Sequence, residues 1–124
     1  MKKIFTLLAL TISFGMNAQM TDNSSGTQAG DYAVAMGNTT TASGQSSTAM
    51  GHITTASGDY STAMGIFTTA SGDYSTAIGY GTEASGYNST AMGRDTEASG
   101  YYSIALGIDT KASGQSSTAI GDST

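Results

Sequence analysis

Small and variable side chains alternate along most of this chain, in blocks of seven residues that read (Ser/Thr)-x-Ala-x-Gly-x-x. Ser61-Thr62-Ala63-Met64-Gly65, followed by Ile66-Phe67, is one block, and Thr68-Thr69-Ala70-Ser71-Gly72 opens the next. Inside a block the pattern has period two, the mark of a strand whose side chains point alternately to opposite faces. The two residues after each glycine carry no such alternation and read as a turn. Each block therefore predicts a five-residue strand and a two-residue turn. Glycine closes the strand because the tight turn needs permissive backbone angles.

The residue before each glycine sorts the blocks into two kinds. It is bulky and apolar at Met36, Met50, Met64, Ile78, Met92, Leu106 and Ile120, and serine at Ser43, Ser57, Ser71, Ser85, Ser99 and Ser113 between them. The alternation never fails, so the full repeat is two blocks, or fourteen residues. Fourteen of the seventeen glycines, from Gly30 to Gly121, keep the seven-residue spacing. So short and regular a period predicts a solenoid, in which each coil stacks on the one before. A coiled coil shares the seven-residue period but is excluded here. Glycine in every heptad costs about 1 kcal/mol each time in a helix, and no Leu/Ile seam fills paired core positions. The expected fold is an all-β, flattened parallel β-roll of fourteen-residue coils with two short strands per coil, its coils about 4.8 Å apart.

Charge decides which face points inward. On the serine-type strands the variable positions carry Glu83, Glu97 and Lys111 beside Thr41, Thr55 and Thr69. Charges inside a narrow roll cost several kcal/mol each, so that face is solvated and Ala, Ser/Thr and Gly line the interior. The inner hydroxyls are expected to bond turn backbone. The same geometry sends the bulky residues of the other strands outward, as a stripe with Val34 and Ile104 and with Thr48, Thr62, Thr76, Thr90 and Thr118 between. No charge interrupts it. An apolar stripe of that length implies an interaction surface, and self-association is the simplest way to cover it.

Composition narrows the function classes. Net charge is −5, and only Arg94 and Lys111 are basic beyond Lys2 and Lys3, which leaves nothing to neutralise phosphates and excludes nucleic-acid binding. The absence of cysteine removes disulfides, thiol catalysis and thiolate metal sites. Lys2 and Lys3 precede the apolar run Ile4 to Phe14, too short for a comfortable membrane span, and Met16-Asn17-Ala18 offers a cleavage site. The expected organisation is a signal peptide over 1–18, a polar leader over 19–27, and seven repeats over 28–124, the last incomplete. The protein is expected to be exported, with no membrane span in the mature chain.

No catalytic constellation and no cofactor site emerges. His52 is the only histidine and stands in a turn without a recurring partner. Asp59 and Asp73 stack on neighbouring coils, as do Asp95 and Asp109. One carboxylate per coil, without the dense Asp pattern of calcium-binding rolls, favours a structural column over a metal site. Tyr60 and Tyr74 share a column with Tyr32 and Tyr102, and Tyr87 and Tyr101 stand one place earlier. Such a ladder can support itself by ring stacking or grip a protein or glycan. With the Glu83, Glu97 and Lys111 column, the tyrosines Tyr60, Tyr74, Tyr87, Tyr101 and Tyr102 form the candidate ligand surface.

Asn88-Ser89-Thr90-Ala91-Met92-Gly93-Arg94-Asp95-Thr96 resembles the N-S-V-A-I-G-x-x-S motif of YadA-like heads of trimeric autotransporter adhesins, with Thr for Val and Met for Ile. Tyr102-Ser103-Ile104-Ala105-Leu106-Gly107 and Ala33-Val34-Ala35-Met36-Gly37 keep the apolar pair. The resemblance runs from Gln28 to Thr124 and matches the head alone, not the family's coiled-coil stalk or membrane barrel. It implies a left-handed roll, three chains about one axis, and attachment at a cell surface or to matrix, glycans or other cells. Val34, Met36, Met50, Met64, Ile78, Met92, Ile104, Leu106 and Ile120 are then the candidate trimer interface. Two other classes fit the same rod: a structural spacer or assembly segment, and an ice-binding solenoid whose Thr/Ser array begins at Thr41, Thr55 and Thr69.

Overall fold

The computed structural model describes residues 30–124, all in strands and turns. The signal peptide and leader expected over 1–27 lie outside the described residues. Seven long strands, β1 (Val34–Asn38), β3 (Thr48–His52), β5 (Thr62–Ile66), β7 (Thr76–Tyr80), β9 (Thr90–Arg94), β11 (Ile104–Ile108) and β13 (Thr118–Asp122), pair in that order into one sheet. Six two-residue strands, β2 (Thr41–Ala42), β4 (Thr55–Ala56), β6 (Thr69–Ala70), β8 (Glu83–Ala84), β10 (Glu97–Ala98) and β12 (Lys111–Ala112), form a second. All pairing is parallel, and every residue meets the one fourteen places on, as Ala49 meets Ala63 and Ala56 meets Ala70. A long strand and the short strand after it make one coil, so the molecule is a parallel β-solenoid of six full turns with β13 opening a seventh.

The two halves of a coil are less alike than their shared formula predicts. Five-residue strands were expected twice per coil, and the serine-type half has only two residues in the ladder. The reason lies in the amides after the alanine. Ser71 and Gly72 both donate to the carbonyl of Ala84, at 3.0 and 3.2 Å, so the ladder ends in a shared acceptor and the chain turns at the serine. In the long strands the glycine does not close the strand but sits inside it. Gly65 has φ +128°, an extended conformation reserved for glycine, and the ladder runs through it to Ile66.

Nor does glycine supply the left-handed residue of most turns. The second turn residue does: Ile53, Tyr60, Phe67 and Tyr74 have φ of 53°, 58°, 56° and 59°. For a β-branched or bulky residue this costs on the order of 1–2 kcal/mol. Each is held by donating its amide to the turn one coil back, Phe67 to His52 at 3.0 Å and Tyr74 to Asp59 at 2.8 Å. The turns thus stack by hydrogen bonds just as the strands do. Only at Gly81, φ 63°, does a glycine take this place.

The interior is as thin as the composition requires. Among the described residues, alanines from Ala33 to Ala119 form the whole hydrophobic core, and no fully buried side chain is larger than threonine. The alternation therefore points as charge arguments predicted, with Ser/Thr, Ala and Gly inward. The inner hydroxyls depart from expectation. Ser47 Oγ donates to the Gly44 carbonyl at 2.8 Å, but Thr40, Thr54, Thr68, Thr82, Thr96 and Thr110 bury Oγ1 without a partner among the described residues. Ser61, Ser75, Ser89, Ser103 and Ser117, which hold the place of Ser47 in later coils, likewise bury Oγ without a partner. The threonines follow the other turn and have no equivalent acceptor bond.

Candidate functional site

Because the alanine core is closed, everything variable lies on four outer surfaces. The first is the outward face of the long-strand sheet. Met36, Met50, Met64, Ile78, Met92, Leu106 and Ile120 stand in strict register along it, each paired with the next. Val34, Thr48, Thr62, Thr76, Thr90, Ile104 and Thr118 form a parallel column beside them. These side chains are half-buried or exposed, Met92 and Ile104 about two-fifths so. Their burial has no room left within one chain.

The tyrosine edge precedes the long strands. Tyr60 and Tyr74 stack with ring centroids 5.1 Å apart and planes 8° from parallel. Tyr74 meets Tyr87 edge to face at 5.5 Å, and Tyr87 meets Tyr101 at 6.1 Å and Tyr102 at 5.8 Å. The five tyrosines singled out in the sequence thus form one continuous ladder, and the offset between Tyr74 and Tyr87 is absorbed by a change from stacked to edge-on contact. Asp59 and Asp73 stand beside it. Asp59 Oδ1 accepts the Gln45 amide at 2.9 Å and Asp73 Oδ1 the Asp59 amide at 3.0 Å, so each carboxylate caps backbone one coil away. Among the described residues no group of three or more His, Cys, Asp or Glu side chains gathers to hold a metal.

Thr41, Thr55, Thr69, Glu83, Glu97 and Lys111 form the outward column of the short-strand sheet, each beside the next. Lys111 Nζ donates to Glu97 Oε2 at 2.8 Å. That hydrogen bond holds the Glu97 carboxyl below its ordinary pKa, against the opposing effect of desolvation. Glu83, on the other side of Glu97, has Thr69 and Glu97 as its column neighbours, and the one cation of the column lies two coils away. This column follows the turn at Tyr80-Gly81, whereas Tyr87 follows the far end of the short strand. Ladder and charge column are therefore separate features of the rod rather than one constellation.

A fourth surface, the rim that closes the long strands, escaped sequence reasoning. His52 packs edge to face on Phe67 at 6.1 Å, and Phe67 on Tyr80 at 5.9 Å. Ile53, Ile66, Phe67 and Tyr80 are all exposed. His52, read alone as an isolated turn residue, belongs to this second aromatic row. The signal was present in the fourteen-residue spacing of His52, Ile66 and Tyr80, with Phe67 one place later.

Six overlapping stretches, residues 29–52, 42–68, 56–82, 70–96, 84–109 and 98–124, match the model of the YadA head domain repeat in two copies. The chain belongs to the YadA head-repeat family. The match covers every described coil. These head repeats are of adhesin type. No curated protein matches the chain. Among the described residues no helix is long and apolar enough to cross a membrane.

Proposed function

We propose that this chain is the non-enzymatic head of an exported adhesin, assembled as a homotrimer and displayed at the cell surface or secreted. The observation that carries the reading is the uninterrupted apolar column on a rod whose core is already filled by alanine. Three copies about one axis cover that column, and the polar and aromatic edges face outward. The ligand surface is the tyrosine ladder Tyr60, Tyr74, Tyr87, Tyr101 and Tyr102, with Glu83, Glu97 and Lys111 as a second patch. Matrix protein, glycan or a cell surface is engaged through many weak repeated contacts, so affinity rises with assembly and repeat number.

One observation favours a second reading, a spacer or assembly segment. The tyrosine rings spend their faces on one another, which supports the turns without any ligand. Serine replacement of all five tyrosines separates the two. Ser46 and Ser116 hold the turn place of Tyr60, Tyr74 and Tyr102 at φ 54° and 55°, and Tyr87 and Tyr101, one place earlier, do not have positive φ, so the backbone accepts serine at all five. Binding of the full chain to matrix proteins and cells, with sedimentation run in parallel, is lost in this variant if the ladder is the ligand surface. Binding that persists unchanged moves the site elsewhere. Failure of both proteins to bind leaves the spacer, or ice binding if thermal hysteresis is seen.

A further inference from the structure

The apolar rim demands an account of its own, because it occupies only part of the rod. His52, Ile53, Ile66, Phe67 and Tyr80 lie in the coils of β3, β5 and β7, whereas the same rim further on carries Arg94, Asp95, Asp109 and Asp122, with Ile108 alone among them. The long-strand stripe repeats a similar apolar residue beside a β-branched one at every coil, so two stripes pressed together fit almost as well after slipping by one coil. The rim does not repeat.

Size points to a second copy as its occupant. Two side-chain columns about 7 Å apart on a rod about 34 Å long offer a footprint on the order of 350 Å², short of the roughly 800 Å² per partner of a standard interface. Further surface must join. A five-residue long strand spans about 17 Å, and a triangle with that side has its faces about 5 Å from the axis, the reach of one Met, Leu or Ile side chain. At each corner of such a prism the end of a long strand in one copy meets the start of the same long strand in the next, at equal height, because a three-fold ring is closed by one repeated heterologous contact.

That geometry places Ile66 and Phe67 of one copy beside Tyr60 of the next, Tyr80 beside Tyr74, and the Arg94 cation beside Tyr87. Apolar rim meets aromatic edge, and the Arg94 cation meets Tyr87 rather than another cation. We infer that Ile66, Phe67 and Tyr80 of this rim pack on Tyr60 and Tyr74 of the next copy and fix the axial register of the assembly. A one-coil slip that carries Arg94 and Asp95 to the height of Tyr74 and Asp73 sets the Asp95 carboxylate against that of Asp73 and leaves Tyr60 facing Tyr80 and Gly81 in place of Ile66 and Phe67. Part of the ladder is then a seam between copies, with the remainder free for ligand. This inference rests on the three-chain reading proposed above.

The absence of cysteine makes the test direct. Full-length chains carrying Phe67→Cys are co-refolded with chains carrying Tyr60→Cys and oxidised; a second mixture replaces Tyr60→Cys by Tyr102→Cys, in the same column three coils away. The expected result is an intermolecular disulfide in the first mixture and none above background in the second. Equal yields in the two, or none in either while sedimentation shows assembly, overturn the seam and leave the three-chain reading standing. A wild-type chain that sediments as a monomer overturns both. In parallel, Ile66→Asn with Phe67→Thr copies the native Asn38-Thr39 turn, whose Thr39 already adopts φ 55°, into the rim. It should weaken assembly by about tenfold or more; unchanged affinity also contradicts the seam.

Discussion

The long and short strands of one coil are built from the same five-residue formula, and they end as opposite surfaces. Both bury alanine and both stack glycine on glycine. They differ in two outward places. In the long strand these hold Met, Ile or Leu with Thr, Val or Ile, and the ladder runs five residues; in the short strand they hold Thr, Glu or Lys with Ser, and it runs two. The core therefore says nothing about which face is sticky. A roll whose inside is alanine throughout keeps its identity entirely on its outside, and specificity is written in residues that contribute little to folding one chain.

The sharpest way to break the comparison is to disturb the glycine that lets the long strand run on. At Gly65 a Cβ would fall on the Gly79 carbonyl, and φ +128° excludes other residues. Gly65→Ala should cost at least about 3 kcal/mol, seen as a large drop in the urea midpoint by far-UV circular dichroism. Gly81→Ala should cost less, about 1–2 kcal/mol, because the same turn place holds Thr39 and Phe67 and the nearest atom is the end of the Asp95 side chain rather than backbone. Equal effects at the two sites would contradict the separate roles given to these glycines.

A smaller effect, with opposite signs, tests the interior. Thr82→Val removes a buried hydroxyl that has no partner and should raise stability by about 1 kcal/mol. Ser47→Ala breaks its bond to the Gly44 carbonyl and should lower stability by a similar amount, about 1 kcal/mol. Thermal midpoints of the two variants should move in opposite directions.

The smallest effect belongs to the short-strand face. Glu97 is held below its ordinary pKa by the Lys111 hydrogen bond, so its contribution is present above the unfolded value near 4.5 and is lost as pH falls below that through the folded value. The pair is exposed, which limits it to a few tenths of a kcal/mol, on the order of other surface pairs. Lys111→Ala should flatten the acid limb of a pH titration of stability and leave neutral stability nearly unchanged. A larger loss at neutral pH would mean that the column does more than decorate the rod.

Much of this architecture was legible in the residues, and the limits of that legibility are physical. Period two within a block placed Ala63 and Ala70 inside and Met64 outside, because the charged Glu83, Glu97 and Lys111 could not be buried. The length of the short strand was not legible, since Ser71 and Gly72 end the ladder by sharing one carbonyl, a matter of hydrogen-bond geometry rather than residue type. Left-handed turns at Ile53 and Phe67 were invisible for a related reason: the coil-to-coil amide bonds impose what local preference opposes. Of the candidate ligand surface, the tyrosine ladder was readable from spacing, while the row from His52 through Phe67 to Tyr80 was missed because Phe67, the ring that joins the other two, sits one position out of the His52, Ile66 and Tyr80 column.

The outward Met/Ile/Leu column as the assembly face is the claim on which the rest depends, and sedimentation of the full chain tests it most directly. The wild type should run as a closed three-chain species. A chain with Met64→Asp and Met92→Asp should run as a monomer with unchanged β-sheet circular dichroism, because the two charges would be buried without partners at the axis. A stable wild-type monomer, or an assembly indifferent to both aspartates, would contradict the account.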